Sequence, residues 1–138
     1  MKEKGDRLTN MKTKNTVLVL NAKSLGRGDD QLGDTLIASF LRTLALRDDV
    51  PDTIVGYNAG VQLAIKESPA ADLLLALEQR GAEILLCGTC VDYFHIGSEI
   101  ALGTISDMRT IVDRIDVKAI LFSREQNNAP INQLRGCQ

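Results

Sequence analysis

The sequence predicts a single three-layer α/β/α domain built on a mainly parallel sheet of about five strands. Three observations lead there. Short apolar runs alternate along the chain with segments whose apolar residues recur at helical spacing. The apolar runs do not alternate in polarity, as strands buried on both faces of a parallel sheet would not. The length of 138 residues suits one domain, since domains commonly run to roughly 100–150 residues.

Each element has its own justification. Thr16-Val17-Leu18-Val19-Leu20-Asn21 reads as a buried strand that ends in a polar loop. Ser24 to Asp30 is glycine-rich and polar, with Asp29 placed to cap the next helix. Leu32, Leu36, Ile37, Phe40, Leu41 and Leu44 then form the apolar face of that helix. Thr53-Ile54-Val55-Gly56-Tyr57 is the second strand and Asn58 its turn residue. Ser68-Pro69 starts a helix with Ser as N-cap and Pro at the first helical position. Leu73, Leu74 and Leu77 are its buried face, and Gly81 terminates it. Glu83-Ile84-Leu85-Leu86 is the third strand, running into Cys87. Residues 91–103 suggest a short helix and then a short strand. Ser106 is the expected cap of a helix carrying Met108, Ile111, Val112 and Ile115 on one side, and residues 117–122 are the last strand. The domain is expected over residues 15–123, between an arm at 1–14 and a polar tail at 124–138.

Composition excludes several function classes. The chain is 44% hydrophobic and 25% charged, which is ordinary for a globular protein and unlike a disordered one. Its net charge is −2. The first fourteen residues hold five Lys/Arg against two acids, a local +3, which leaves −5 on the rest. An acidic body with 4% aromatics and no Trp offers neither a basic footprint nor a stacking platform for nucleic acid. No run of about 18 apolar residues exists to span a membrane. Three cysteines are an odd number, and the first fourteen residues have no apolar stretch of an export signal. A cytoplasmic location is therefore expected, with free thiols used as ligands or reagents.

In open α/β sheets, ligands bind beyond the carboxyl ends of the strands. Three polar, glycine-containing stretches are delivered to that edge. They are Gly26-Arg27-Gly28-Asp29, Asn58-Ala59-Gly60 and Cys87-Gly88-Thr89-Cys90. The CxxC is the sharpest of them. Two thiols three residues apart on a strand-to-helix turn can share a disulfide, hold half a metal site or pass a sulfur atom between them. For zinc, His95 and Cys137 are the remaining soft partners, whereas a structural zinc site usually shows two such pairs. Gly26, Gly28 and Gly33 miss the dinucleotide fingerprint, and Asp29 and Asp30 would repel a phosphate, so no cofactor is expected. His95 reads equally as bystander and as participant.

Together, Leu25 to Gly33, Asn58-Ala59-Gly60-Val61 and Cys87-Gly88-Thr89-Cys90 resemble the signatures of the DsrE-like superfamily. The nearest likeness is to the C-terminal domain of YedF-type, sulfurtransferase-like selenium metabolism proteins, over most of residues 15–122. The resemblance implies a usually oligomeric α/β/α fold and cysteine-based sulfur or selenium handling. Cys87 matches the cysteine that carries a persulfide, and Cys90 the additional cysteine that would resolve it or receive the atom. Arg27, Gly28, Asn58 and Gly88, with Gly26, Asp29, Gly60 and Thr89, would shape the pocket. No metal is implied. A homo-oligomer is expected, and a TusA-like domain or protein is a possible partner, because that branch generally carries one and no Cys precedes Cys87 here. The rival expectation is a non-catalytic binding or assembly module whose CxxC is a redox latch or partial metal site.

Overall fold

Four strand pairs, all parallel, join five strands into one sheet of order β4-β3-β2-β1-β5. In this computed structural model residues 16–115 and 119–122 are described. The elements are β1 (Thr16–Leu20), α1 (Asp30–Ala45), β2 (Thr53–Gly56), a 3₁₀ helix (Asn58–Ala64), α2 (Ala71–Gln79) and β3 (Glu83–Cys87). They continue with α3 (Gly88–Tyr93), a one-turn 3₁₀ helix (Gly97–Glu99), β4 (Thr104–Ser106), α4 (Met108–Ile115) and β5 (Ala119–Phe122). The arm at 1–14, the tail at 124–138 and its Cys137 lie outside the described residues. Among the described residues no helix is long and apolar enough to cross a membrane.

Successive strand residues point to opposite faces, and two contacts fix which face is which. Arg114 of α4 grips Glu83 with Nε at 2.7 Å from Oε1 and Nη2 at 2.9 Å from Oε2. The face carrying Glu83, Leu85 and Cys87 is therefore the α4 face. Gly103, at φ 82, packs closely on Ile84, which a Cβ there would meet at 3.1 Å, and its N–H donates to Glu78 of α2 at 3.1 Å. Ile84 and Leu86 thus look toward α2. The chain leaves β3 into α3 on its way to the neighbouring edge strand, and leaves β4 into α4 to cross back to β5. Right-handed crossovers make those two departures go to opposite faces. A crevice consequently opens at the carboxyl ends of β3 and β4, where Cys87 is the register partner of Ser106.

Strand burial follows from this layering. Val17 to Leu20 of β1, all of β2 and Ile84 to Cys87 of β3 are buried without alternation. Helix α1 differs from the expected face: Gly33, Ile37 and Leu41 are buried, whereas Leu32 and Leu36 stand 56% and 41% exposed. The small Gly33 lies against Ser24 and Leu25, where a Cβ would sit 2.7 Å from Ser24 Cβ. That close approach turns Leu32 and Leu36 outward. The Arg80 guanidinium, just past α2, donates to the carbonyls of Ala45, Arg47 and Asp48 at 2.5, 2.7 and 3.0 Å. It satisfies carbonyls that the end of α1 leaves open.

The helix ends mostly follow the sequence. Asp29 caps α1, its carboxylate accepting from Leu32 N–H at 2.7 Å. Gly81 closes α2 at φ 110, with its own N–H on the Glu78 carbonyl and Ala82 N–H on that of Leu77. Ser68 is not the expected N-cap: the cap is Ala70 and α2 begins at Ala71, while the Ser68 hydroxyl, two residues ahead, accepts from Ala70 N–H at 3.0 Å. The cap of α4 is Asp107, not Ser106. Its carboxylate accepts from Thr110 N–H at 2.8 Å, and that bond holds the carboxyl below its ordinary value. Ser106 instead completes β4.

Helix α4 meets the sheet through little apolar surface. Ile111 is fully buried, but Met108 and Val112 are each 50% exposed. The Arg114–Glu83 pair adds a bidentate link that pulls the Glu83 carboxyl below its ordinary value, although partial exposure limits such a pair to about 1 kcal/mol or less. Ile111→Ala is therefore expected to cost about 3 kcal/mol, while Val112→Ala stays within about 0.5 kcal/mol. Urea unfolding of the two variants beside the wild type checks the contrast.

Candidate functional site

The site begins with a glycine that has no room for a side chain. A Cβ on Gly60 would stand 1.8 Å from the carbonyl oxygen of Leu20. The loop after β2 therefore lies directly on the end of β1. Tyr57 N–H bonds the same Leu20 carbonyl at 3.0 Å, and Gly60 N–H returns to the Tyr57 carbonyl at 2.7 Å. Between them Asn58 takes a left-handed φ of 48°. Asn is one of the few side chains that tolerates this region. The turn leaves the Asn58 main-chain N–H pointing at the third loop, where it donates to Cys90 Sγ at 3.1 Å.

The two cysteines meet because of where the helix starts. Cys87 is the last residue of β3 and the N-cap of α3, and Cys90 is the third residue of that helix. N-cap and third-residue side chains face each other across the first turn. Both thiols are free. Their surroundings differ. Cys87 is 3% exposed and belongs to the core, whereas Cys90 is half-buried. Burial pushes the Cys90 thiol above its ordinary value, the neighbouring Cys87 thiol pushes it the same way, and the Asn58 N–H pulls it back. Gly88, between them, lies against β4, where a Cβ would approach the Ser106 carbonyl to 3.1 Å.

Tyr57 completes the cluster and was not singled out from the sequence. It follows Val55 on the α4 side, and its hydroxyl lies 3.7 Å from Met108 Sδ. Burial and then the charges of Cys87 and Cys90 raise its pKa. The sheet register carries the signal for it: Gly56 pairs with Leu86, so the next residues of the two strands, Tyr57 and Cys87, are neighbours.

The structure brings together Cys87, Cys90, Asn58, Gly60 and Gly88 and treats the first loop differently. Gly26, Arg27, Gly28 and Asp29 are exposed. Gly26 and Gly28 take φ values of 85° and 135°, and Leu25 N–H bonds the Gly33 carbonyl at 3.0 Å. These bonds fold the loop onto α1, and the Asp29 carboxylate is engaged as a cap. Thr89 is exposed on the first turn of α3. His95 is exposed and closes α3 at φ 58, with its N–H on the Asp92 carbonyl and Ile96 N–H on that of Val91. That is a helix-terminating position of the kind glycine usually fills. Among the described residues no group of three or more His, Cys, Asp or Glu is arranged to hold a metal ion. A separate cavity of ≈ 290 Å³ lies between α1 and the segment joining β2 to α2, lined by Lys23, Asp34, Ile37, Gln62, Leu63 and Pro69 among others. Neither cysteine lines it.

No protein-family model and no curated protein matches the chain. Solved structures do. The protein of unknown function MTH1491 from Methanobacterium thermoautotrophicum aligns at a TM-score of 0.57 and 20% identity, over 78% of this chain and 96% of its own. The YchN protein from E. coli aligns at 0.54 and 12% identity, over 78% and 98%. The chain has a DsrE-like fold. A conserved protein of unknown function from Bacteroides thetaiotaomicron, BT1422, aligns at 0.55 and 16% identity, over 78% and 94%. At these identities the likeness is one of fold. Within this DsrE-like fold, the thiol pair stands at the crevice between β3 and β4.

Two outcomes follow from the geometry. Gly60→Ala forces the loop off Leu20 and is expected to cost about 3 kcal/mol or more, with slower, less uniform alkylation of Cys90, read by denaturation and timed labelling. Alkylation of Cys90 is expected to rise with pH through a midpoint above the ordinary thiol value of about 8.5. Cys87→Ala removes the neighbouring thiol that raises the Cys90 value, so the midpoint moves down in that variant. A midpoint that stays put or rises contradicts the contact.

Proposed function

We propose that the protein is a cysteine-based carrier of sulfane sulfur or selenium that holds the atom on the Cys87–Cys90 pair. The observation that carries this reading is the meeting of two free thiols as N-cap and third residue of α3, flanked by Tyr57 and an N–H donor. A thiolate here attacks the outer sulfur of a persulfide donor, R–S–SH. R–S⁻ leaves and takes up a proton, and the sulfane atom stays on the cysteine with no net oxidation. Release runs either by transfer of that atom to an acceptor thiolate or by attack of the second cysteine on the inner sulfur. The latter expels HS⁻ and leaves a Cys87–Cys90 disulfide, which a dithiol reductant then reopens.

The DsrE-like fold supports this reading, as do the motif likenesses to the YedF-type C-terminal domain. On the same footing the protein works in the cytoplasm, as a homo-oligomer, with a TusA-like domain or protein as its sulfur partner. The exposed Leu32 and Leu36 on α1 suit contact with another copy. Gly60 and Asn58 set the site by backbone position, Gly88 and Thr89 open the first turn of α3, and Gly26 to Asp29 flank the edge.

Intact mass of the reduced protein before and after a sulfane donor tests the proposal. The wild type is expected to gain one or more sulfur atoms, and a double Cys87→Ser, Cys90→Ser variant to gain none. Equal gain in both, or none in either, moves the assignment to a redox latch. That reading requires an assembly state that changes on reduction.

A further inference from the structure

We propose that sulfur enters at Cys90 and is passed inward to Cys87, which stores it. The inference rests on the carrier reading above and orders its steps. The resemblance alone implies that Cys87 meets the donor first. Burial argues otherwise, since exchange requires the attacking sulfur to reach the donor along its S–S axis. Cys87 is 3% exposed, whereas Cys90, in the first turn of α3, is half-buried. A donor bulkier than a bare sulfur chain meets Cys90 first.

One contact of Cys90 favours the thiolate that the cycle uses, against the burial that raises its pKa. Its Sγ accepts the Asn58 main-chain N–H at 3.1 Å. That donor is held by the tight Gly60–Leu20 packing rather than by a mobile side chain. The Cys90 thiolate attacks the outer sulfur of R–S–SH and expels R–S⁻, which is protonated. The Cys87 thiolate then attacks the outer sulfur of Cys90–S–SH, forming Cys87–S–SH and restoring the Cys90 thiolate against the Asn58 N–H. One S–S bond breaks and one forms in each step, so no electron acceptor is needed. The second step needs only the placement of the two sulfurs as N-cap and third residue of one helix start. Its product places the reactive atom on the buried cysteine, away from adventitious thiols.

The test compares wild type, Cys87→Ser, Cys87→Ala and Cys90→Ser, each full-length and reduced, with two probes. One is glutathione persulfide, a bulky donor; the other is inorganic polysulfide. With glutathione persulfide, Cys90→Ser is expected to load about tenfold more slowly than wild type, and with polysulfide within about threefold of it. Both Cys87 variants are expected to load at the wild-type rate but to lose the sulfur to cyanide about tenfold faster than wild type. Two Cys87 variants are used so that a fold-disrupting Ser is not mistaken for the effect, and a urea midpoint is taken for each. Wild-type loading by glutathione persulfide in Cys90→Ser overturns the order while leaving the carrier reading intact. So does equal cyanide resistance in the Cys87 variants and the wild type. Failure of every form, wild type included, to gain sulfur from either probe overturns the carrier reading and this order with it.

Discussion

The site depends on one close approach, the backbone of Gly60 against the carbonyl of Leu20. No L-side chain fits there, because its first carbon would overlap an oxygen that cannot move without unravelling β1. The contact does what a sheet alone cannot. Strand pairing sets β1 beside β2 but leaves the loop after β2 free to take many paths. Pinned at Gly60, that loop must turn at Asn58 through a left-handed conformation, and this is what aims an N–H at Cys90.

The two thiols share a helix start and little else. Cys87 ends a strand whose last four residues are all buried, so its sulfur belongs to the core as well as to the crevice. Cys90 lies in the first turn of α3, half-buried, with the loop after β2 donating an N–H to it. The asymmetry comes from the topological switch. Strand β3 sends its chain to one face and β4 to the other, so the first turn of α3 stands at the mouth of a crevice and not beneath a helix. On the α4 side the Tyr57 hydroxyl meets Met108 Sδ.

Strand positions were legible because buried parallel strands are continuous apolar runs, and four of the expected strands match within a residue or two. The caps at Asp29 and Gly81 were legible because one local contact decides each. Helix faces were less so. Helical spacing in α1 marks Leu32 and Leu36 as core as readily as Ile37 and Leu41. Which side faces the sheet is decided by Gly33 lying against Ser24, a contact between segments. The same holds at α4, where Ser106 and Asp107 are both good caps and pairing of Ser106 with Cys87 leaves the role to Asp107.

For the site, the sequence by itself determined that two thiols stand three residues apart where a strand becomes a helix, and that glycine-bearing loops lie at the same sheet edge. Those are properties of chain order and local turn chemistry. Only the tertiary structure decided that Asn58 and Tyr57 join the thiols while Gly26 to Asp29 serve the cap of α1, and that Cys87 is enclosed while Cys90 is reachable. The physical reason is that burial and main-chain direction arise from how β1, β2 and β4 crowd the end of β3. That crowding is a sum over residues far apart in the chain, and no local window contains it.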